Sequence, residues 1–389
     1  MKIGFYVQRV ANEKGFEHNV SAHVQLPLHT MRLLQKAGHE VQLITTAFDD
    51  EKRSLPACLP AGVPVHQVVY GTRQGSDLIM HAGRKEGIRP FVLLKQLQQL
   101  KTLARQEAFD VIHLSGGNGI AHLGGLLKWV GLKQPLVLTL DTGSFPEGRA
   151  SLKKKLWGRL STIITSTAYF QKVCQENGIP ARWIPHGPLK GFAAPPVAEG
   201  PRNRVLFWRD PSRENGADLC VESFSSLASR YSDFRFTFAV RPHWDEVPGI
   251  DALGDRFSNV EVLRFPYPDG VTIEHLLSES LCVVLPFREL STHPQFAVME
   301  SMLAEAATIT TTVGSNAEVV GEGGAGILIP SGDVASLGQG IARLLGDREG
   351  ALAMGRVGRQ RVLNDWNWDG YAEKLGGFYE EAMSESRTK

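Results

Sequence analysis

Short apolar runs of strand length alternate along this chain with longer segments whose apolar positions recur every three or four residues. Lys2 to Val7, His39 to Thr45, Val63 to Val69, Asp110 to Leu114, Pro135 to Leu140 and Thr162 to Ser166 read as strands. Ser21 to Lys36, stopped by Ala37-Gly38, Phe91 to Glu107 and Gly119 to Val130 read as helices between them. His186 to Asn203, rich in proline and glycine, reads as a linker. A second series follows. Arg204 to Trp208, Arg235 to Val240, Val260 to Arg264, Cys282 to Leu285 and Thr308 to Val313 read as strands. Gly216 to Arg230, Thr272 to Ser278, Val334 to Leu345 and Ala351 to Leu363 read as helices, and the aromatic-rich tail Trp366 to Met383 as a last one. Strands separated by helices predict an α/β chain with mostly parallel sheets and right-handed crossovers.

Length turns that pattern into two Rossmann-like domains, since 389 residues exceed what one core usually organises. The expected division is 1–186, joined by a C-terminal helix of about 367–389, and 187–366. Hydrophobic content of 42% and charged content of 21% are those of a globular protein. A net charge of +1 gives no support for a nucleic-acid-binding surface. The four scattered cysteines fit a reducing compartment and neither a disulfide framework nor a zinc site. The first ten residues are too short an apolar run for a signal peptide, and no run reaches membrane-spanning length. The expected location is cytoplasmic.

The richest stretch runs from Leu281 to Pro330. After the strand ending at Leu285, Phe296, Val298, Met299, Met302, Leu303 and Ala306 recur at helical spacing. In a parallel sheet the loop leaving a strand's C-terminal end faces the ligand crevice, and the next helix points its free N–H groups there. The N–H groups of Gln295, Phe296 and Ala297 are placed for an anion or a sugar hydroxyl, whatever their side chains. Glu300 lies eight residues past Thr292, about 12 Å if the interval is helical. Thr292-His293-Pro294-Gln295 also reads as a capping box with Thr292 at the N-cap.

This stretch resembles the donor-binding motif of retaining glycosyltransferases of the GT-B fold, the family 4-like group, in which two glutamates are separated by seven residues. Glu300 stands at the second, with Thr292 in place of the first. Four further segments resemble the family in order: KAGHEVQLIT, IPHGPLKGF, VGSNAEVV and GILIPSGDVASLGQGIARLL. The resemblance covers nearly the whole chain. It implies two Rossmann-like domains facing across a cleft, with the C-terminal helix returning to the first. It also implies transfer of a sugar from a nucleotide diphosphate-sugar to an acceptor hydroxyl with retention, without a metal or other cofactor. The acceptor would be a carbohydrate, a lipid-linked carrier or a protein.

Residue by residue, the resemblance gives Glu300 the ribose hydroxyls. In FWRDPSRENGADL it gives Arg209 the donor diphosphate, with Asn215 where relatives have lysine and Arg213 as the replacement cation. Glu289 is a carboxylate near the position of the missing glutamate. Asp141 stands where many relatives have histidine, and reads either as a turn residue or as a catalytic group that accepts a sugar or acceptor hydroxyl or acts as a base. The loop Gln8 to Val20, with Gly15 and His18, is the acceptor-side loop, and His18 and His23 lack metal spacing. Ser151 to Leu160 is basic and amphipathic, either a solvated helix face or a contact with anionic lipid at the inner face of a membrane. Two rival functions are a nucleotide-sugar epimerase and a non-catalytic nucleotide-sugar binder paired with an active transferase.

Overall fold

The structure, a computed structural model, describes residues 1–15, 17, 22–69, 90–140, 150–189, 201–290 and 292–388. The chain forms two compact units, Met1–Ile184 with Asp369–Lys389, and Pro185–Trp368.

The first unit runs β1 (Lys2–Val7), β2 (Asn12–Glu13), α1 (Ala22–Lys36), β3 (Glu40–Thr46), β4 (Arg53–Ser54), β5 (Val65–Val68), α2 (Pro90–Gln106), β6 (Val111–Gly116), α3 (Asn118–Trp129), β7 (Leu136–Leu140), α4 (Ala150–Trp157), β8 (Thr162–Thr165), α5 (Ala168–Glu176) and β9 (Ala181–Trp183). Its parallel sheet has the order β5-β3-β1-β6-β7-β8-β9, and β2 and β4 form a separate antiparallel pair. Past Lys2 the central strands β1 and β7 are buried throughout, which explains why they read as continuous apolar runs. The basic segment at 151–160 is helical from Ala150 to Trp157. Trp157 is buried, and Gly125 on α3 leaves room for the Leu156 backbone. Among the described residues, no helix is long and apolar enough to cross a membrane.

The second unit runs β10 (Arg204–Phe207), α6 (Ala217–Leu227), β11 (Arg235–Val240), α7 (Ile250–Arg256), β12 (Val260–Arg264), α8 (Ile273–Ser278), β13 (Ser280–Leu285), α9 (Phe296–Leu303), β14 (Ala307–Thr311), α10 (Asn316–Val320), β15 (Ile327–Ile329), α11 (Val334–Gly346) and α12 (Arg348–Asp365). Its sheet is parallel, in the order β12-β11-β10-β13-β14-β15. Strand order reverses between β10 and β13, and the loops leaving these two strands open the crevice where such sheets bind ligands.

The tail differs from its expected form. α13 (Tyr371–Thr388) begins five residues later than the aromatic pattern suggested. Trp366 is instead buried in the second unit's core, and Trp368 stacks on His186 with centroids 4.8 Å apart. Gly370, at φ 66°, turns the chain before the helix starts. Aromatic spacing here reflects two separate packing tasks.

α13 is tied to the first unit's sheet through His113 on β6. The imidazole stacks on Phe5 at 4.3 Å, and its Nδ1 meets Tyr379 Oη at 2.7 Å. Burial pushes His113 down to about 3 from its ordinary 6.5. The unfolded chain therefore takes up a proton below pH 6.5 that the folded chain refuses until about pH 3. Stability from this site is complete above 6.5 and falls as the pH drops below it, by up to about 1.4 kcal/mol per pH unit. Combining His113→Phe with Tyr379→Phe should remove about one proton from the acid slope of stability in urea melts. A slope equal to wild type would contradict this account.

Candidate functional site

The crevice of the second unit is built by two loops held backbone to backbone. The first, Trp208 to Gly216, leaves β10. Gly216 adopts φ 75°, and a Cβ there would collide with the Pro286 carbonyl oxygen of the second loop. Arg288 in that second loop clasps Asp218 with both terminal guanidinium nitrogens, at 2.5 and 2.8 Å, and donates to the Arg213 carbonyl at 2.7 Å. Gly216→Ala should therefore lower stability by about 3 kcal/mol, combining left-handed strain with a backbone collision. A thermal melt within a degree of wild type would show that the loops do not need this approach.

β14 fastens the floor of the second loop. Thr310 Oγ1 donates to the Leu285 carbonyl at 2.8 Å and Thr311 Oγ1 to the Phe287 carbonyl at 2.7 Å. His293 is buried, with Nδ1 at 3.0 Å from Ser315 Oγ, and burial pushes it down to about 4. It is thus a neutral packing group near neutral pH. A Cβ on Gly314 would meet its ring at 2.7 Å, so the glycine of VGSNAEVV makes space for this histidine.

α9 starts at Phe296 with Gln295 as its N-cap, three residues later than a capping box on Thr292 required. The reason is Pro294: its ring pushes the preceding residue out of the helical region, so no helix can run through His293. Thr292 lies half-buried in the loop, and the Thr292–Glu300 interval is helical only over its second part, so the 12 Å helical spacing does not hold. Val298 and Met299 N–H reach back to the Gln295 carbonyl, as expected beyond a helix start, and the N–H groups of Phe296 and Ala297 occupy its open first turn. Phe296 and Glu300, four residues apart, are the half-buried positions of a helix otherwise packed into the core.

Arg209 lies two residues beyond β10. Its neighbour Trp208 donates through Nε1 to Ser301 Oγ at 3.1 Å, and Ser301 donates to the Ala297 carbonyl at 2.7 Å. This chain of bonds fastens the Arg209 loop to the helix carrying Glu300. Arg209 Nε is buried and meets no acceptor. Burial and the like charge of Arg241 lower the Arg209 pKa, while Asp210, Glu300 and Tyr267 oppose the fall. The same crevice thus holds Arg209, Glu300, Arg241 and Tyr267.

Asn215 does not project into the crevice. Its amide donates to the Asp210 carbonyl at 3.2 Å and to Ser212 Oγ at 3.1 Å, shaping its own loop. Arg213 and Glu289 are exposed. In the first unit Gly15 sits at φ 88°, and its N–H donates to Glu17 Oε1 at 3.1 Å, beside the small β2–β4 pair. His18 and Asp141 lie outside the described residues.

Sequence reasoning missed Arg241, Tyr267 and the Trp208–Ser301 link. The signal for Arg241 was present, since it directly follows a strand read as ending at Val240. No periodicity marks Tyr267 or Ser301, which meet their partners only through strand order.

Residues 27–187 match the family model for a glycosyl transferase 4-like domain, and residues 202–347 that for glycosyl transferases group 1. An 80-residue stretch is 34% identical to the GDP-mannose-dependent alpha-(1-6)-phosphatidylinositol monomannoside mannosyltransferase of Mycobacterium tuberculosis, in two strains. That stretch spans 21% of this chain and 21% of that protein. Among solved structures, sucrose-phosphate synthase from Thermosynechococcus elongatus superposes with a TM-score of 0.69 at 17% identity, covering 99% of both chains. A glycosyltransferase from Rickettsia africae gives 0.68 at 14% identity, covering 98% of both. Anabaena HepE in complex with UDP and glucose gives 0.65 at 15% identity, covering 97% of this chain and 98% of that one.

Proposed function

This chain belongs to the glycosyl transferases group 1, with the GT-B fold, and we propose that it moves a sugar from a nucleotide diphosphate-sugar to an acceptor hydroxyl with retention of configuration. The observation that carries this reading is Arg209, a cation with a buried, unpartnered Nε held beside Glu300 at the strand-order reversal. An anion flanked by a hydroxyl-rich sugar suits that pair. Glu300 accepts two ribose hydroxyls at once, and Arg209 forks onto the diphosphate. The N–H groups of the 295–297 turn add hydrogen bonds to phosphate or sugar oxygens.

As the glycosidic bond lengthens, negative charge gathers on the leaving diphosphate. Arg209 and the helix N-terminus meet it without a metal ion in this reading. Thr292 offers the sugar a hydroxyl but no charge. Asp141 and the acceptor-side loop with Gly15 and His18 are assigned to the acceptor, which is a carbohydrate, a lipid-linked carrier or a protein. The GDP-mannose and UDP named for relatives make GDP-mannose and UDP-glucose the first donors to try.

A second reading is a nucleotide-sugar binder that supports another transferase, favoured by Thr292 in place of a carboxylate and by the committed amide of Asn215. A panel of nucleotide diphosphate-sugars tests both by thermal shift and by donor turnover. No shift with any donor rejects the donor site. A shift without turnover, even of slow donor hydrolysis, selects the binder.

A further inference from the structure

We propose that Arg241 is the second phosphate-binding cation of this crevice, taking the part that the family pattern gives to a lysine where this chain has Asn215. The inference rests on the donor-site reading above and adds a residue to it.

The placement follows from strand register. β10 and β11 are parallel neighbours with Phe207 opposite Phe238, so Arg209 and Arg241 leave adjacent strand ends on one edge of the sheet. β11 and β12 are likewise paired, Val240 opposite Arg264, and Phe265 N–H donates to the Val240 carbonyl at 2.9 Å. Tyr267 follows on that same edge. Arg241 is exposed yet not loose. Its guanidinium carbon lies 5.8 Å from the centroid of the Phe265 ring, and its positive charge acts on the Tyr267 hydroxyl.

The two loops that carry the arginines are also joined. Ser212 pairs with Glu246 in an antiparallel bridge, and Val247 N–H donates to the Pro211 carbonyl at 2.8 Å. Glu246 is gripped in turn by both terminal nitrogens of Arg264, at 3.1 and 2.6 Å. The spacing between Arg209 and Arg241 is therefore built into the fold.

Charge supplies the function. Two guanidinium groups facing one crevice repel each other, and a bound anion relieves that repulsion. A diphosphate carries more charge than Arg209 alone neutralises. Asn215 has no cation and a committed amide, while Arg213 is exposed and makes no ion pair among the described residues. Arg241 offers planar donors that match phosphate oxygens.

The test measures binding of GDP, UDP, their monophosphates and the free nucleosides to wild type, Arg241→Gln, Arg241→Lys and Arg213→Gln by calorimetry. Arg241→Gln should weaken the diphosphates by roughly ten- to a hundredfold and leave the nucleosides unchanged. Arg241→Lys should recover part of the loss, and Arg213→Gln should stay within about twofold of wild type. Equal diphosphate affinity in Arg241→Gln overturns the assignment, as does an equal loss for the nucleosides or a loss that appears in Arg213→Gln instead. Wild type that binds neither diphosphate rejects the donor-site reading itself, and this inference with it. Melting temperatures of the unliganded variants separate a binding loss from unfolding, and Arg241→Lys keeps the test open if the glutamine variant folds poorly.

Discussion

Arg209→Gln is expected to lower kcat by about 10²–10³, the scale of losing one preorganised donor at a developing charge. The leaving diphosphate gains negative charge as the sugar departs, so an interaction with it strengthens toward the transition state and acts on kcat. In the variant, Asp210 and Glu300 lose the cation that they now help to hold. The local field then turns against the leaving group. Arg209→Lys keeps the charge but not the fork, and should fall between the two. Steady-state kinetics on the donor that turns over decide this. A kcat within twofold of wild type would remove Arg209 from the chemistry, even if KM rises. The Trp208–Ser301 bond should keep the loop in place, so that far-ultraviolet circular dichroism and melting temperature report a folded protein.

Glu300→Ala carries the second large effect, and it falls on binding. One carboxylate accepting two hydroxyls makes two charge-assisted hydrogen bonds, so their loss should weaken nucleotide diphosphate-sugars by roughly a hundredfold. The sharper readout is sugar identity within the nucleotide. Wild type should prefer a ribonucleotide to its 2′-deoxy counterpart by about tenfold, and the variant should bind both alike. Retention of that preference in Glu300→Ala would assign ribose recognition to another group. The half-buried position of Glu300, on the same helix face as Phe296, makes this test accessible without opening the core.

The most legible parts of this protein were those governed by local spacing. Buried parallel strands such as Pro135 to Leu140 and Cys282 to Leu285 announce themselves as short apolar runs because both faces are covered. Phe296 to Leu303 announces a helix because its apolar residues return every three or four positions. Local signals failed where a neighbour overrode them. Thr292 and Gln295 have capping-box spacing, but Pro294 stands between them and delays the helix to Phe296. Trp366, Trp368 and Tyr371 belong to one aromatic-rich tail that reads as a single helix, yet the first two pack the second unit and only Tyr371 begins α13. Asn215 sits at a position read from the family pattern, and only its hydrogen bonds to Asp210 and Ser212 reveal that its amide is committed to its own loop.

By itself the sequence determined the main strands and helices, their alternation and therefore the two parallel sheets, together with the motif that puts Glu300 on a helix beyond a buried strand; short elements such as α5, β9, α7 and α10 appear only in the structure. These follow from interactions between residues a few positions apart. The tertiary structure alone decided which charges share the crevice. Arg209, Arg241, Tyr267 and Glu300 come from four separate stretches, and the order β12-β11-β10-β13 brings their strand ends side by side. Strand order depends on how each crossover packs against the sheet, a long-range choice that leaves no period in the chain.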